Sequence, residues 1–248
     1  MAINKENGIN IVDWNARIYR IFSKTRFLEL LKTKQNVLVA PSMWDDPFEN
    51  FFLKCTAVTG SGERVSMEQL YKSWFGRCWT LTEESDAMWR IYNHDKTGVR
   101  VSTTIQRLFD SIYDSTDTSA SLKFFIGEVS YQSRGEIEKF LAHTSFADIA
   151  LGGQAKPFAE TLCVKRVEFA HEHEIRLLFN DADNRHTHAR VVSFPFDTGA
   201  LIDSVVLDPR MTPAEFQAAK HEIASAGYSG VVEQSELYKF TPPTIPIE

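Results

Sequence analysis

Cysteine is scarce in this sequence: Cys55, Cys78 and Cys163 are the three in 248 residues, and no Cys-x-x-Cys spacing occurs. Neither a disulfide framework nor a cysteine zinc site is expected, and a reducing cytoplasm suits such a chain. Long apolar runs are missing too. None approaches the roughly 18 residues that a membrane-spanning helix needs, and the opening Met-Ala-Ile-Asn-Lys-Glu-Asn-Gly lacks the basic-then-apolar order of an export signal. A cytoplasmic location without membrane insertion is therefore the expectation. Positive charge is not in excess either: 27 Lys and Arg against 33 Asp and Glu leave a net charge of −6. That balance disfavours broad, nonspecific binding to phosphate backbones while leaving room for a local basic groove. There is no glycine-rich phosphate loop followed by Lys-Ser/Thr, and no Gly-x-Ser-x-Gly elbow. P-loop, kinase and α/β-hydrolase chemistry lose their support.

What is present suits one sizeable core. Hydrophobic residues make up 43% of the chain and aromatics 12%, including 18 Phe and 5 Trp, and no linker-like stretch divides it, so a single domain over residues 1–248 is expected. Residues 16–22 alternate basic with β-branched or aromatic side chains, as a half-buried strand does, and Ser23 can cap a following helix that carries Phe27, Leu28 and Leu31. Residues 37–40 form a short apolar strand stopped by Pro41. Asp46-Pro-Phe-Glu49 has the cap, proline and third-position Glu of a helix start, and residues 67–74 predict another helix. Strands follow at 77–81 and 98–102, with Ser85-Asp86 capping a helix between them that carries Met88, Trp89 and Tyr92. A helix over 103–112, a polar loop over 114–121 and a strand over 124–131 come next, and Gly152-Gly153 marks a turn. Strands at 172–179 and 189–194 predict a long-tipped hairpin. A strand at 201–207 precedes Thr212-Pro-Ala-Glu215, which opens a helix ending near Gly227, and short strands at 231–233 and 237–240 close the chain.

The charged run His171-Glu-His-Glu-Ile-Arg176 is the strongest chemical feature. On a strand, the period of two puts Glu172, Glu174 and Arg176 on one face and His171 and His173 on the other. Two carboxylates two residues apart beside an arginine can orient a hydroxyl, activate a nucleophile or stabilise a developing cation, since proximity drives their proton affinities apart. The plain alternative is a solvated strand face with weak Glu–Arg pairs. Arg20, next to Tyr19, offers a fork-shaped guanidinium able to grip a phosphate, or an ordinary surface ion pair. Thr80 and Thr82 lie at a strand end, and Trp89 and Tyr92 follow on a helix where such aromatics more often serve the core. His171, His173, His186 and His188 would have to converge around a metal, and their spacing matches no metal module, so no metal is expected.

As a set, Tyr19-Arg20, the 41–49 segment with Asp-Pro-Phe-Glu, Cys78-Trp-Thr, Met88-Trp-Arg-Ile-Tyr92 before Gly98-Val-Arg, the 165–176 run and Ser235-Glu-Leu-Tyr-Lys239 resemble a bacterial family, domain of unknown function 2971, which looks akin to phage-resistance proteins. A second resemblance, to ADP-ribosyltransferase toxins, rests on order: a basic residue on the first strand, a Ser/Thr strand end, then Glu-x-Glu on a later strand. It implies an α+β fold with a mixed, split β-sheet core flanked by helices, and NAD as co-substrate. It also implies Arg20 and Tyr19 as dinucleotide binders, Thr80 or Thr82 in the middle position with Ser102-Thr103-Thr104 as a rival, and Trp89 or Tyr92 against nicotinamide. Glu174 and then Glu172 would carry the reaction, with Arg176 beside them. The acceptor would be a macromolecule, protein or nucleic acid, and an antitoxin or regulatory protein a possible partner. A non-catalytic nucleotide- or protein-binding module and a metal-dependent nuclease are the competing readings.

Overall fold

The computed structural model describes residues 5–44, 56–58, 62, 64–66, 72–143, 155–186 and 189–244. The helix starts expected at Asp46 and Met67, the Gly152-Gly153 turn, Cys55 and His188 lie outside the described residues. In chain order the strands are β1 (Gly8–Ile9), β2 (Arg17–Phe22), β3 (Gln35–Val39), β4 (Thr56–Val58), β5 (Arg64–Ser66), β6 (Trp74–Thr80), β7 (Val99–Thr104), β8 (Phe124–Glu128), β9 (Ser130–Gln132), β10 (Val164–Arg166), β11 (Glu174–Asn180), β12 (Val191–Pro195), β13 (Ser204–Leu207) and β14 (Val232–Gln234). Backbone contacts gather them into two compact units, one of Met1–Ile18, Gln35–Leu81 and Thr103–Phe196, the other of Tyr19–Lys34, Thr82–Ser102 and Asp197–Glu248. No helix among the described residues is long and apolar enough to cross a membrane.

In the first unit the sheet is mixed, as expected: β1 runs parallel to β8, while β8, β11 and β6 pair antiparallel. Its strands are buried on both faces, β11 at six of seven positions. On one face Trp74, Phe125 and Leu178 pack with Phe158 of the helix Ala155–Thr161 and with Trp44. On the other, Phe75, Phe179, Phe124 and Phe194 form a chain of ring contacts at 5.0–6.3 Å between centroids. The sheet is also split. At the end of β8 the chain leaves the ladder: Val129 N–H donates to the Glu174 carbonyl, Ser130 N–H to the Cys163 carbonyl, and β9 then pairs in parallel with β10.

The expected hairpin does not form. β11 has both edges taken, by β6 and β8, so the strand after the polar tip pairs with β3 instead, Val192 opposite Leu38. β11 also starts later than residue 172. Residues Val167–Glu172 make a short helical turn and His173 sits in the left-handed region at φ 40°, which breaks the extended run before Glu174.

In the second unit β13 lies between β7, antiparallel, and β14, parallel. The helix Lys24–Thr33 is capped by Ser23 as predicted and meets the helix Pro213–Ser225 through the Lys24–Glu222 ion pair at 2.9 Å. Thr212 and Glu215 form the full capping box read from the sequence, and Gly227 follows with φ 97°. The strand expected over 237–240 is absent: these residues form turns, with Phe240 78% exposed.

Candidate active site

The residues read as one wall of a site do come together, by a different route from the one expected. Glu174 opens β11 opposite Thr80, the last residue of β6, and Leu81 N–H extends the ladder by donating to the His173 carbonyl. Glu172 is not on the strand. It ends the preceding helical turn, and the left-handed His173 folds it back so that its carboxylate still approaches Glu174. Thr80 Oγ1 donates to the Glu172 carbonyl at 2.6 Å and fixes that return.

The residue that joins them is Lys165. On β10 it stands beside Tyr131 of β9, so the split of the sheet brings both to the start of β11. Lys165 Nζ donates to Glu172 Oε2 and, at 3.1 Å, to Glu174 Oε1. The Phe169 ring lies 4.7 Å from the ammonium, and Tyr131 Oη accepts the Glu174 N–H at 2.8 Å. Sequence reasoning missed both residues. The signal was within the same charged run, where Lys165 and Phe169 precede Glu172, but it needed the β9–β10 pairing to have meaning.

Arg176 completes the group. Its Nε and Nη2 reach Glu174 Oε2 at 2.8 and 2.6 Å, Nη1 donates to the Leu162 carbonyl at 2.6 Å, and the guanidinium lies 4.5 Å from the Trp44 ring centre. Two glycines make room for the side chains packed around it. A Cβ on Gly127, which faces Arg176 across the ladder, would lie 2.5 Å from Cys163 Sγ, and one on Gly76 would lie 2.8 Å from the Trp44 ring. The plain reading of a solvated face is overturned: the side chains of Glu172, Glu174 and Arg176 are 8%, 7% and 0% exposed. The cause is packing, since the helix Ala155–Thr161 and Trp44 close over that face of the sheet.

Burial and electrostatics separate the two carboxyls. Desolvation pushes Glu172 up, and its hydrogen bond with Glu174 adds to this against the opposing Lys165, to about 7. Burial also penalises the Glu174 anion, but the Arg176 and Lys165 charges outweigh it and hold that carboxyl down at about 2. The two proton affinities are thus driven apart in opposite directions. Burial pushes the Cys163 thiol beside them up to about 12, which leaves it an inert core residue.

The remaining candidates fall in the second unit. Tyr19 is buried, with the Arg100 guanidinium 5.4 Å from its ring centre, and Arg20 is half-buried with its guanidinium 5.2 Å from the Phe22 ring centre. Thr82 lies in the half-buried loop before the helix Asp86–Tyr92. Trp89 has no exposed surface and donates its indole N–H to Glu84 at 2.8 Å, so its ring serves the core, and Tyr92, 44% exposed, is the accessible ring of that helix. Ser102 shares a hydrogen bond with Ser204. His171, His173 and His186 are exposed, and among the described residues no three His, Cys, Asp or Glu side chains gather as a metal site.

No curated protein matches the chain. Solved structures of DarT from Thermus sp. 2.9 are similar in outline: the complex with NAD+ superposes with a TM-score of 0.40 at 11% identity, covering 91% of this chain and 98% of that one. The complex with ADP-ribosylated ssDNA gives 0.40 at 10%, covering 91% and 96%. Likeness at that level assigns neither residues nor substrate. The family described as "Protein of unknown function (DUF2971)" matches residues 88–177, so the resemblance carried by the sequence motifs holds over a stretch that includes Lys165, Glu172, Glu174 and Arg176.

Proposed function

We propose that the Glu172–Glu174 pair is the reactive centre of an ADP-ribosyltransferase-like enzyme that uses NAD as co-substrate. The observation that carries this reading is two adjacent buried carboxyls bridged by the Lys165 ammonium, with Arg176 clamped on Glu174 alone of the two in the bonds described, so that burial raises the proton affinity of Glu172 while the Arg176 and Lys165 charges lower that of Glu174. Cleavage of the bond between ribose C1′ and the nicotinamide nitrogen sends the electron pair out with nicotinamide and leaves positive charge on the ribose. An anion fixed in a low-dielectric site stabilises that charge as it forms, which is the role of Glu174. The acceptor O–H or N–H then bonds to C1′, and its proton goes to Glu172. Arg176 keeps Glu174 in place and does not itself face the substrate. Arg20, Tyr19, Thr82 and Tyr92, read from the sequence as dinucleotide binders, lie in the second unit, and no step of this reaction is routed through them. A macromolecular acceptor and a defence or toxin setting with a neutralising partner complete the reading.

The test is transfer of label from NAD to cell extract by wild type and Glu174→Gln. Labelling by wild type that falls at least a hundredfold in a folded Glu174→Gln chain is the expected result; equal labelling, or none by either, sinks the proposal. A second reading has its own observation: both Glu174 oxygens are already engaged, one by Lys165 and one by Arg176, as in a purely structural clamp. A non-catalytic binding module of this kind would bind its ligand without turnover, and Glu174→Gln would lose stability rather than activity.

A further inference from the structure

Two carboxyl groups that share a buried site cannot both ionise unless a cation lies between them, because each anion raises the other's proton affinity. Arg176 holds Glu174 and donates to the Leu162 carbonyl. Lys165 donates to both carboxyls, at 5% side-chain exposure and with the Phe169 ring closing over it. Among the described residues, the charged and titratable groups that meet the pair include Lys165 on β10, Tyr131 on β9, Arg176 on β11 and Cys163 in the turn after the helix Ala155–Thr161. Tyr131 takes no part as an anion, since burial raises its phenol well above the ordinary range, and the Cys163 thiol stays protonated.

From this placement we propose that Lys165 is a positioning residue of the site: its ammonium, seated between the two carboxyls, holds Glu172 against Glu174 and permits both to carry charge at once. This rests on the reading of the pair as a reactive centre. Lys165 touches neither the ribose nor the acceptor in that scheme and acts only through Glu172 and Glu174. Without it, Glu172 would keep its proton to higher pH and could not take one from the acceptor under neutral conditions.

The experiment has two readouts on the full chain. The side-chain carboxyl ¹³C resonances of Glu172 and Glu174, assigned with Glu172→Gln and Glu174→Gln, are titrated in wild type, Lys165→Met and Lys165→Arg. The expected result is a rise of at least one pH unit in the Glu172 midpoint in Lys165→Met, a tenfold change in proton affinity, and a smaller rise in Lys165→Arg. The rising limb of NAD consumption against pH should move by the same amount. An unmoved midpoint in Lys165→Met overturns the proposal. Where that variant does not fold, the Lys165 Nζ resonance of wild type decides: it should shift as Glu172 titrates, and a flat response overturns the proposal. NMR shifts as expected with no NAD consumption at any pH would reject the reaction while leaving the bridge intact. NAD consumption with an unmoved limb in Lys165→Met would reject the bridge and leave the reaction.

Discussion

In the second unit, Asp208 is fully buried and meets one cation: Arg210 donates Nε and its backbone N–H to Oδ1 at 2.9 and 2.8 Å, and Nη2 to Oδ2 at 2.6 Å. The same Nη2 also reaches the Trp89 and Asn93 carbonyls at 3.1 and 2.8 Å, and Asn93 Nδ2 donates to Oδ2 at 2.6 Å. In the first unit, two buried cations face two buried carboxyls, and one of those, Glu172, is left with its proton affinity raised to about 7. The Asp208 group is a one-to-one staple that ties the loop after β13 to the helix Asp86–Tyr92. The Glu172–Glu174 group holds more ionisable groups than a staple needs, at a site where desolvation makes each of them expensive. Surplus titratable groups with separated proton affinities are what the proposed reactive centre has and the Asp208 tie lacks.

Removing one charge from each group should separate them most widely. Arg176→Met leaves the Glu174 anion buried against Lys165 alone and is expected to cost about 3–5 kcal/mol in urea unfolding at pH 7. Asp208→Asn keeps the shape and an acceptor oxygen for Arg210, whose Nη2 also reaches two carbonyls, and is expected to cost about 2 kcal/mol. Equal or reversed losses would break the distinction between the two groups.

The pH dependence of stability sharpens it further. The folded-state affinity of Glu172 for its proton is raised from 4.5 to about 7, so its contribution is fully present below about pH 4.5 and is lost as pH rises through 7. Glu174 is lowered from 4.5 to about 2; its contribution is present above 4.5 and is lost as pH falls through 2. Together they place a stability maximum near pH 4.5, with an alkaline decline of up to about 3 kcal/mol. Glu172→Gln should flatten the alkaline side and leave the acid side in place. Urea unfolding between pH 3 and 8 reads both limbs, and parallel curves for the two chains above pH 4.5 would remove the special status of Glu172.

How much of this the sequence displayed depends on how local each feature is. The caps at Ser23, Ser85 and Thr212 were legible because a cap needs only a side-chain oxygen within three residues of a free backbone N–H. Most strands were legible from composition, while their partners were not: β12 pairs with β3 across some 150 residues, and nothing in its own pattern says so. The charged run at 171–176 stood out, but its burial did not. Alternating Glu and Arg read as a wet face, and only the cover supplied by Trp44 and the helix Ala155–Thr161 makes it an interior. The left-handed turn at His173 was equally hidden, since a non-glycine residue in that region leaves no trace in composition.

The smallest expected effect concerns the space around Arg176. Gly127 sits opposite Arg176 in the β8–β11 ladder, and a methyl there would meet Cys163 Sγ at 2.5 Å and Ile9 Cβ at 3.0 Å. Gly127→Ala is therefore expected to cost about 1–2 kcal/mol by overpacking, as the sulfur and β1 shift to admit the added carbon. Cys163 belongs to the turn that supplies the Leu162 carbonyl to Arg176, so that shift should reach Glu174 and move its carboxyl titration as well. The double variant Gly127→Ala with Cys163→Ala tests the route, because shortening the sulfur side chain relieves the clash. Recovery of both stability and the Glu174 titration would tie the glycine to the arginine clamp; recovery of neither would confine its effect to packing against β1.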